Sequence, residues 1–275
     1  MADPLLFNIE PFFLPFGDDR LFCNFTIPTF IKPEASILYL HPFAEEMHKS
    51  RRMAALQVRE FASKGYAVLQ IDLLGCGDST GDFEDASWDN WRRCVEIAID
   101  WLTNRMNVPI ILWGLRTGGM LAVDISQKFV NIAGIILWQP IINGANFINQ
   151  FLRIRVATEM LASKQERTGI KQLRDKIVSG ESVEIGGYTL SSSLALSIDK
   201  MDLLNTAIPC PIYWFEISMF SSNQFSPSSS KVIECWKNRG ISIIAESVQG
   251  EQFWNSQEII ESHKLIVQTT KAICN

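Results

Sequence analysis

No two cysteines in this chain stand at C-x-x-C spacing. The six present, Cys23, Cys76, Cys94, Cys210, Cys235 and Cys274, are scattered, with no metal-site or redox-motif interval between them. They read as reduced, mostly buried thiols, and a cytoplasmic protein without metal or cofactor is expected. An excess of basic residues is also missing. Twenty-five Lys and Arg against thirty Asp and Glu give a net charge of −5, which excludes the footprint of a nucleic-acid binder. Long apolar runs are missing too. The longest lies near Ile132–Ile142, well under the roughly 20 residues that cross a bilayer, so no transmembrane segment is expected. The opening Met1-Ala2-Asp3-Pro4 lacks the basic start of a secretory leader. There is no internal repeat.

What is present is alternation. Two β-rich segments, Leu5–Leu14 and Leu21–Pro28, flank the turn Gly17-Asp18-Asp19. The run Ser36–Leu40 reads as a buried strand ending at His41-Pro42. A helix is expected from Ser50 to Lys64, with Gly65 past its end. Tyr66–Leu74 is the next strand. Trp88, Trp91, Val95, Ala98 and Leu102 recur at helical spacing. Ile110–Trp113 and Ile132–Ile142 read as further buried strands. This β-α rhythm implies a mostly parallel sheet with helices on both faces. It breaks between 143 and 208, where a helix at Phe147–Leu161, a charged helix at Lys171–Val178 and a hairpin turning at Gly186-Gly187 are expected. Strands then resume at Pro211–Ile217 and Ile241–Glu246, around a helix near Val232–Asn238. A final helix is expected from Ser256 to Ile273.

The strand Ile110–Trp113 runs into Gly114-Leu115-Arg116-Thr117-Gly118-Gly119 and then a helix-like stretch. Strand, sharp turn and helix, with glycines that let backbones pass closely, make the nucleophile elbow of α/β-hydrolases, G-x-S-x-G. Here its centre is Arg116. A guanidinium is protonated at any working pH and has no lone pair to offer as a nucleophile. The expected fold is a single α/β-hydrolase domain over 1–275, with residues 143–208 as an inserted helical lid.

Three further segments bear on chemistry. His41-Pro42-Phe43-Ala44-Glu45-Glu46-Met47-His48 follows a strand and precedes a helix. In this fold that loop supplies one oxyanion N–H, here that of Phe43, and the residue after the elbow, Thr117, supplies the other. The elbow would sit beside Glu45 and Glu46, which invites a carboxylate–guanidinium pair with Arg116. Two readings stay open: a structural ion pair, or an anion-binding or acid–base site with His41, Glu45 or Glu46 activating water. The loop Asp72-Leu73-Leu74-Gly75-Cys76-Gly77-Asp78-Ser79 lacks the third glycine of a dinucleotide fingerprint. Its Asp72, Asp78 and Ser79 read as loop-bracing groups. Finally, the loop after Pro211–Glu216 has no acid, and Val248–Trp254 has no histidine. Serine, acid and histidine are thus all missing from their expected places.

Together HPFAEEMHKSRRM, DLLGCGDSTGDF, WGLRTGG and GEQFW resemble the exosortase A system-associated hydrolases of the second type, from about His41 to Trp254. That resemblance implies an α/β-hydrolase acting on a small acyl, ester or thioester compound linked to exopolysaccharide or envelope assembly. The ligand would be a small molecule, with an anionic one a candidate because of Arg116. The missing triad leaves an alternative, a non-catalytic binding or scaffold protein on the same fold.

Overall fold

The structure, a computed structural model, describes residues 6–161, 168–219 and 224–274. The chain opens with a hairpin, β1 (Phe7–Phe16) and β2 (Asp19–Pro28), turning at Gly17, whose φ of 62° suits glycine. Next come β3 (Ser36–Leu40), α1 (Glu45–Ser63), β4 (Ala67–Ile71), α2 (Trp88–Met106), β5 (Ile110–Leu115), α3 (Thr117–Ser126) and β6 (Ile132–Trp138). After α4 (Gly144–Leu161), α5 (Ile170–Val178), β7 (Val183–Ile185), β8 (Tyr188–Leu190) and α6 (Ser192–Asp199), the chain finishes with β9 (Ile212–Ser218), α7 (Pro227–Asn238), β10 (Ile243–Gln249) and α8 (His263–Cys274).

Eight strands form one sheet in the order β1-β2-β4-β3-β5-β6-β9-β10. From β4 to β10 all neighbours are parallel, and β2 runs antiparallel to both of its neighbours, β1 and β4, along one edge. This is the α/β-hydrolase fold expected above. Its central strands are covered on both faces, so β3 and β5 are buried at every position. The pleat sends alternate residues to opposite layers. Leu38, Leu40 and Leu112 join α2 and α3 in one core, and Ile37, Tyr39 and Trp113 join α1 and α8 in the other. Helix α2 starts at Ser87, whose hydroxyl accepts from the Asn90 N–H (3.1 Å), and stops at Asn107, which turns into the left-handed region. Helix α3 is buried on all sides, which its apolar composition permits.

The elements between β6 and β9 are tied to one another. Arg174 on α5 donates to Asn149 Oδ1 (2.9 Å) and to the Ala145 carbonyl (2.9 Å) on α4, and to Asp199 on α6 (2.5 Å). At Gly144 a Cβ would stand 1.7 Å from the Ile198 carbonyl oxygen, so only glycine lets α4 start this close to α6.

Several boundaries differ from the sequence expectation. Helix α1 begins at Glu45 rather than Ser50, because Ala44, at φ 47°, turns the chain at once and two acids then fill the first turn. Strand β6 ends at Trp138 rather than Ile142, because Gln139 takes φ 42° ahead of Pro140. Helix α6 was not anticipated. The last helix begins at His263, not Ser256. The Ser256 hydroxyl instead bonds to the carbonyls of Phe253 and Glu258 (3.3 and 2.5 Å), holding a looped conformation that competes with helix. No helix among the described residues is long and apolar enough to cross a membrane.

Candidate functional site

The site is built where β3 and β5 end. Two helices begin there, and each is preceded by a non-glycine residue of positive φ. Ala44 (φ 47°, ψ −128°) precedes α1, and Arg116 (φ 55°, ψ −115°) precedes α3. The tight turn at Arg116 depends on Gly114 and Gly118. A Cβ at Gly118 would lie 2.1 Å from the Leu40 carbonyl oxygen, and one at Gly114 would lie 2.3 Å from that of Gly118. Strand β3, strand β5 and helix α3 meet at backbone distance. The elbow's architecture is complete, with an arginine at its tip.

That arginine is held from two sides. Its Nε donates to both carboxylate oxygens of Glu46 (3.1 and 3.2 Å), and Nη2 donates to Oε1 (3.0 Å). Both side chains are largely buried, at 16% and 21% exposed. The guanidinium carbon also lies 5.5 Å from the ring centre of Trp254, in the loop after β10, within cation–π range. Glu46 rather than Glu45 is thus the partner. Glu45 points elsewhere and accepts from the Tyr188 hydroxyl on β8 (3.0 Å). Burial, then the Glu45 carboxylate, push the Tyr188 phenol above its ordinary range, so it stays a donor.

Glu45, Glu46 and Arg116 line a cavity of about 660 Å³. Phe43 lines it from the β3 loop, Phe147, Gln150, Phe151 and Ile154 from α4, Ile185, Gly186 and Tyr188 from the β7–β8 hairpin, and Gln252, Trp254 and Asn255 from the loop after β10. Thr117 is the first residue of α3, where N–H groups have no acceptor within the helix. Its hydroxyl is buried with no hydrogen-bond partner among the described residues.

His41 does not line this cavity. Its Nδ1 meets the Pro42 carbonyl (2.7 Å) and its Nε2 accepts from the Leu73 N–H (3.0 Å), so both ring nitrogens are engaged. Burial holds its pKa below the ordinary histidine value, against the pull of nearby Asp72. The ring is neutral and braces the β3 loop against the β4 loop. His48 on α1 is exposed, and His263 is 76% exposed at the start of α8, beside Glu261 (3.2 Å). Asp72 accepts from Arg51 and from the Asp78 N–H (both 3.0 Å), and Ser79 bridges the Asp72 carbonyl to the Phe22 N–H. Glu216 lies within β9 and accepts from the N–H of Ser226, the residue capping α7 (2.8 Å). Burial pushes the Cys23 and Cys94 thiols up to about 12, leaving them inert.

Gln139 was missed from sequence. It lines the cavity from the end of β6, and its Oε1 accepts from the Ile217 N–H (2.7 Å), joining β6 to β9. Trp254 and Tyr188 were also missed as wall residues. Their signal, an aromatic in a loop or hairpin distant along the chain, has no local periodicity to read.

Residues 31–185 match the Hydrolase_4 family, described as serine aminopeptidase, S33. Among curated proteins, the mitochondrial palmitoyl-protein thioesterase ABHD10 of Bos taurus is 27% identical over 183 residues, covering 64% of this chain and 54% of that protein. Protein ABHD12B of Homo sapiens is 30% identical over 112 residues, covering 39% of this chain and 30% of that protein. The chain thus spans about half the length of these relatives, or less. Among solved structures, ferulic acid-bound Est1E from Butyrivibrio proteoclasticus has a TM-score of 0.68 at 14% identity, covering 95% of this chain and 97% of that one. Mouse alpha/beta hydrolase domain-containing protein 10 has a TM-score of 0.59 at 16% identity, covering 96% of each chain. At such identities the structures speak for the fold, while the family match extends over more than half of the sequence. From the elbow glycines to the strand order, the chain belongs to the serine aminopeptidase, S33 (Hydrolase_4) family of α/β-hydrolases.

Proposed function

We propose that this protein binds a small acyl, ester or thioester compound in the cavity over the elbow, without the serine acyl-enzyme route. The observation that carries the reading is Arg116 at the elbow tip, locked to Glu46 by three hydrogen bonds and set over Trp254. No lone pair stands where the nucleophile belongs. The other two members of a Ser-His-Asp arrangement are not supplied either, since His41 is spent on backbone groups and Glu216 on the α7 cap. The Phe43 and Thr117 N–H groups are the pair we assign as residual carbonyl-oxygen donors.

Residues 143–208 act in this reading as a lid on a single domain spanning 1–275, since α4 and the β7–β8 hairpin supply the cavity's upper wall. The thioesterase named among the relatives favours an acyl ligand. The likeness of the HPFAEE and GLR runs to exosortase A system-associated hydrolases favours one from exopolysaccharide or envelope assembly. Buried, unpaired thiols at Cys23, Cys76, Cys94 and Cys210 favour a cytoplasmic setting. Because Glu46 already neutralises Arg116, an anionic ligand would have to displace it, and a neutral one fits without that cost.

One observation favours a catalytic second reading. Glu45 stands on the cavity wall with a hydroxyl donor beside it, the position of a general base that activates water directly. Labelling with a fluorophosphonate and turnover of p-nitrophenyl butyrate test the first reading, which expects neither. Stoichiometric labelling of one serine would overturn it. Turnover without labelling, abolished in Glu45→Gln, would establish the second.

A further inference from the structure

Resting on the ligand-binding reading above, we infer that the cavity takes a neutral sugar carrying an acyl or alkyl arm, its hydroxyls read by unengaged carboxamides at the cavity rim. The charges on the wall argue against a fatty anion. Glu45, Glu46, Lys49 and Arg116 sum to zero, and the guanidinium that would hold an anion is already in a bidentate pair with Glu46. Displacing that carboxylate strands it in a largely buried place.

The remaining polar lining has a different character. Gln150 comes from α4, and Gln252 and Asn255 come from the loop after β10. None of the three side chains makes a hydrogen bond among the described residues, and each is at least partly exposed. A carboxamide offers a donor and an acceptor side by side, and a hydroxyl is also both. Adjacent hydroxyls on a ring satisfy such a set without leaving a charge unpaired. Carboxylates and phosphates present only acceptors, so they would use the amide N–H groups and leave the amide oxygens unmatched.

The rest of the wall suits a hydrocarbon arm. Phe43 meets Phe147 and Phe151 edge-to-face, with ring centres 5.3 and 4.9 Å apart, and Ile185 faces the same space from the hairpin. At about 660 Å³ the cavity lies within the range of drug-sized ligand sites. Polar rim and aromatic wall thus describe one amphipathic, uncharged ligand.

Isothermal titration of the full chain with octyl β-D-glucoside, kept below its micelle concentration, tests this against octanoate and 1-octanol. The glucoside is expected to bind about tenfold tighter than either, the worth of one or two net hydrogen bonds. In the Gln150→Leu/Gln252→Leu variant that advantage should vanish while octanol binding is unchanged. Asn255→Ala serves as a milder variant should the double one fail to fold. Octanoate binding as tightly as the glucoside overturns the inference, as does equal binding of glucoside and octanol, or no glucoside binding. None of these touches the loss of the serine route, which fluorophosphonate labelling decides separately.

Discussion

Replacing Arg116 by serine restores the elbow's usual letter and isolates what the arginine does. The backbone cost of φ 55° falls on any residue with a Cβ, so it is common to both proteins. What changes is the side chain. Glu46 loses three hydrogen bonds, and the Trp254 ring loses the cation 5.5 Å from its centre. Breaking a fully buried ion pair costs about 3–5 kcal/mol, whereas exposed pairs are worth roughly 0.2–1 kcal/mol. With side chains 16% and 21% exposed, this pair lies between, and Glu46 can be partly rehydrated. A loss of about 1–3 kcal/mol is expected, to which the cation–π contact adds roughly 0.5–1 kcal/mol. For a chain of this size that corresponds to a melting temperature lower by roughly 3–7 °C. Thermal unfolding and ester turnover should be measured on the same preparation. Turnover should stay at background, because no histidine lines the cavity at the elbow to take the serine's proton, and such residues act as a unit. A mutant as stable as the parent would show that the Arg116–Glu46 pair contributes nothing. Strong new esterase activity would reveal a base the structure does not display, and the proposed loss of serine chemistry would fall.

Three other perturbations bear on the same architecture. His41 is held neutral by burial, and its unfolded counterpart gains a proton near pH 6.5, so the unfolded state binds more protons below that value. Stability should therefore be full above about pH 6.5 and fall as the pH drops below it; His41→Gln should flatten that slope in melts across the range, and an unchanged slope would assign the effect to other groups. Gly118→Ala should fail to fold or melt far below the parent, since its Cβ would meet the Leu40 carbonyl oxygen at 2.1 Å; a parental melting temperature would mean the elbow has slack. Tyr188 should titrate well above the ordinary phenol value of about 10. Subtracting the alkaline ultraviolet titration of Tyr188→Phe from the parent's isolates it, and a component at the ordinary value would deny the Glu45 bond.

The sheet was legible because its signals are local. Leu38 and Tyr39 are neighbours that feed different cores, and an uninterrupted apolar run such as Ser36–Leu40 is what a strand covered on both faces looks like. Helix α2 announces itself by Trp91, Val95, Ala98 and Leu102. The start of α1 was misplaced because its cause is a conformation, the positive φ of Ala44, and alanine carries no mark of it. Helix α6 has only eight residues, too few for its periodicity to stand out. At the site, the neighbourhood of Arg116 and Glu46 followed from the topology, since adjacent parallel strands end side by side. The other cavity walls depend on where α4, the hairpin and the loop after β10 come to rest, and those positions are set by long-range ties such as Arg174 to Asp199.

The strained elbow keeps its shape with an arginine at its tip because neighbouring strands and helices hold it. Arg116 donates its N–H to the Trp138 carbonyl (2.9 Å), and its own carbonyl accepts from Gly119, Met120 and Ile141 (3.1, 3.4 and 3.3 Å). Those bonds join β6, α3 and the segment leading to α4. Relaxing the φ of Arg116 would break several of them, so the roughly 1–3 kcal/mol of backbone strain persists under the constraint of its surroundings. Ala44 shows the same economy on the neighbouring helix, where Met47 bonds its carbonyl (3.0 Å). The two turns aim the first residues of α1 and α3 at one another, and that is what brings a carboxylate on one to a guanidinium on the other. A serine at such a tip would be exposed to substrate; a long side chain there folds over onto the facing helix. The Arg116–Glu46 pair therefore works as a clasp between two helix starts on the wall of the cavity.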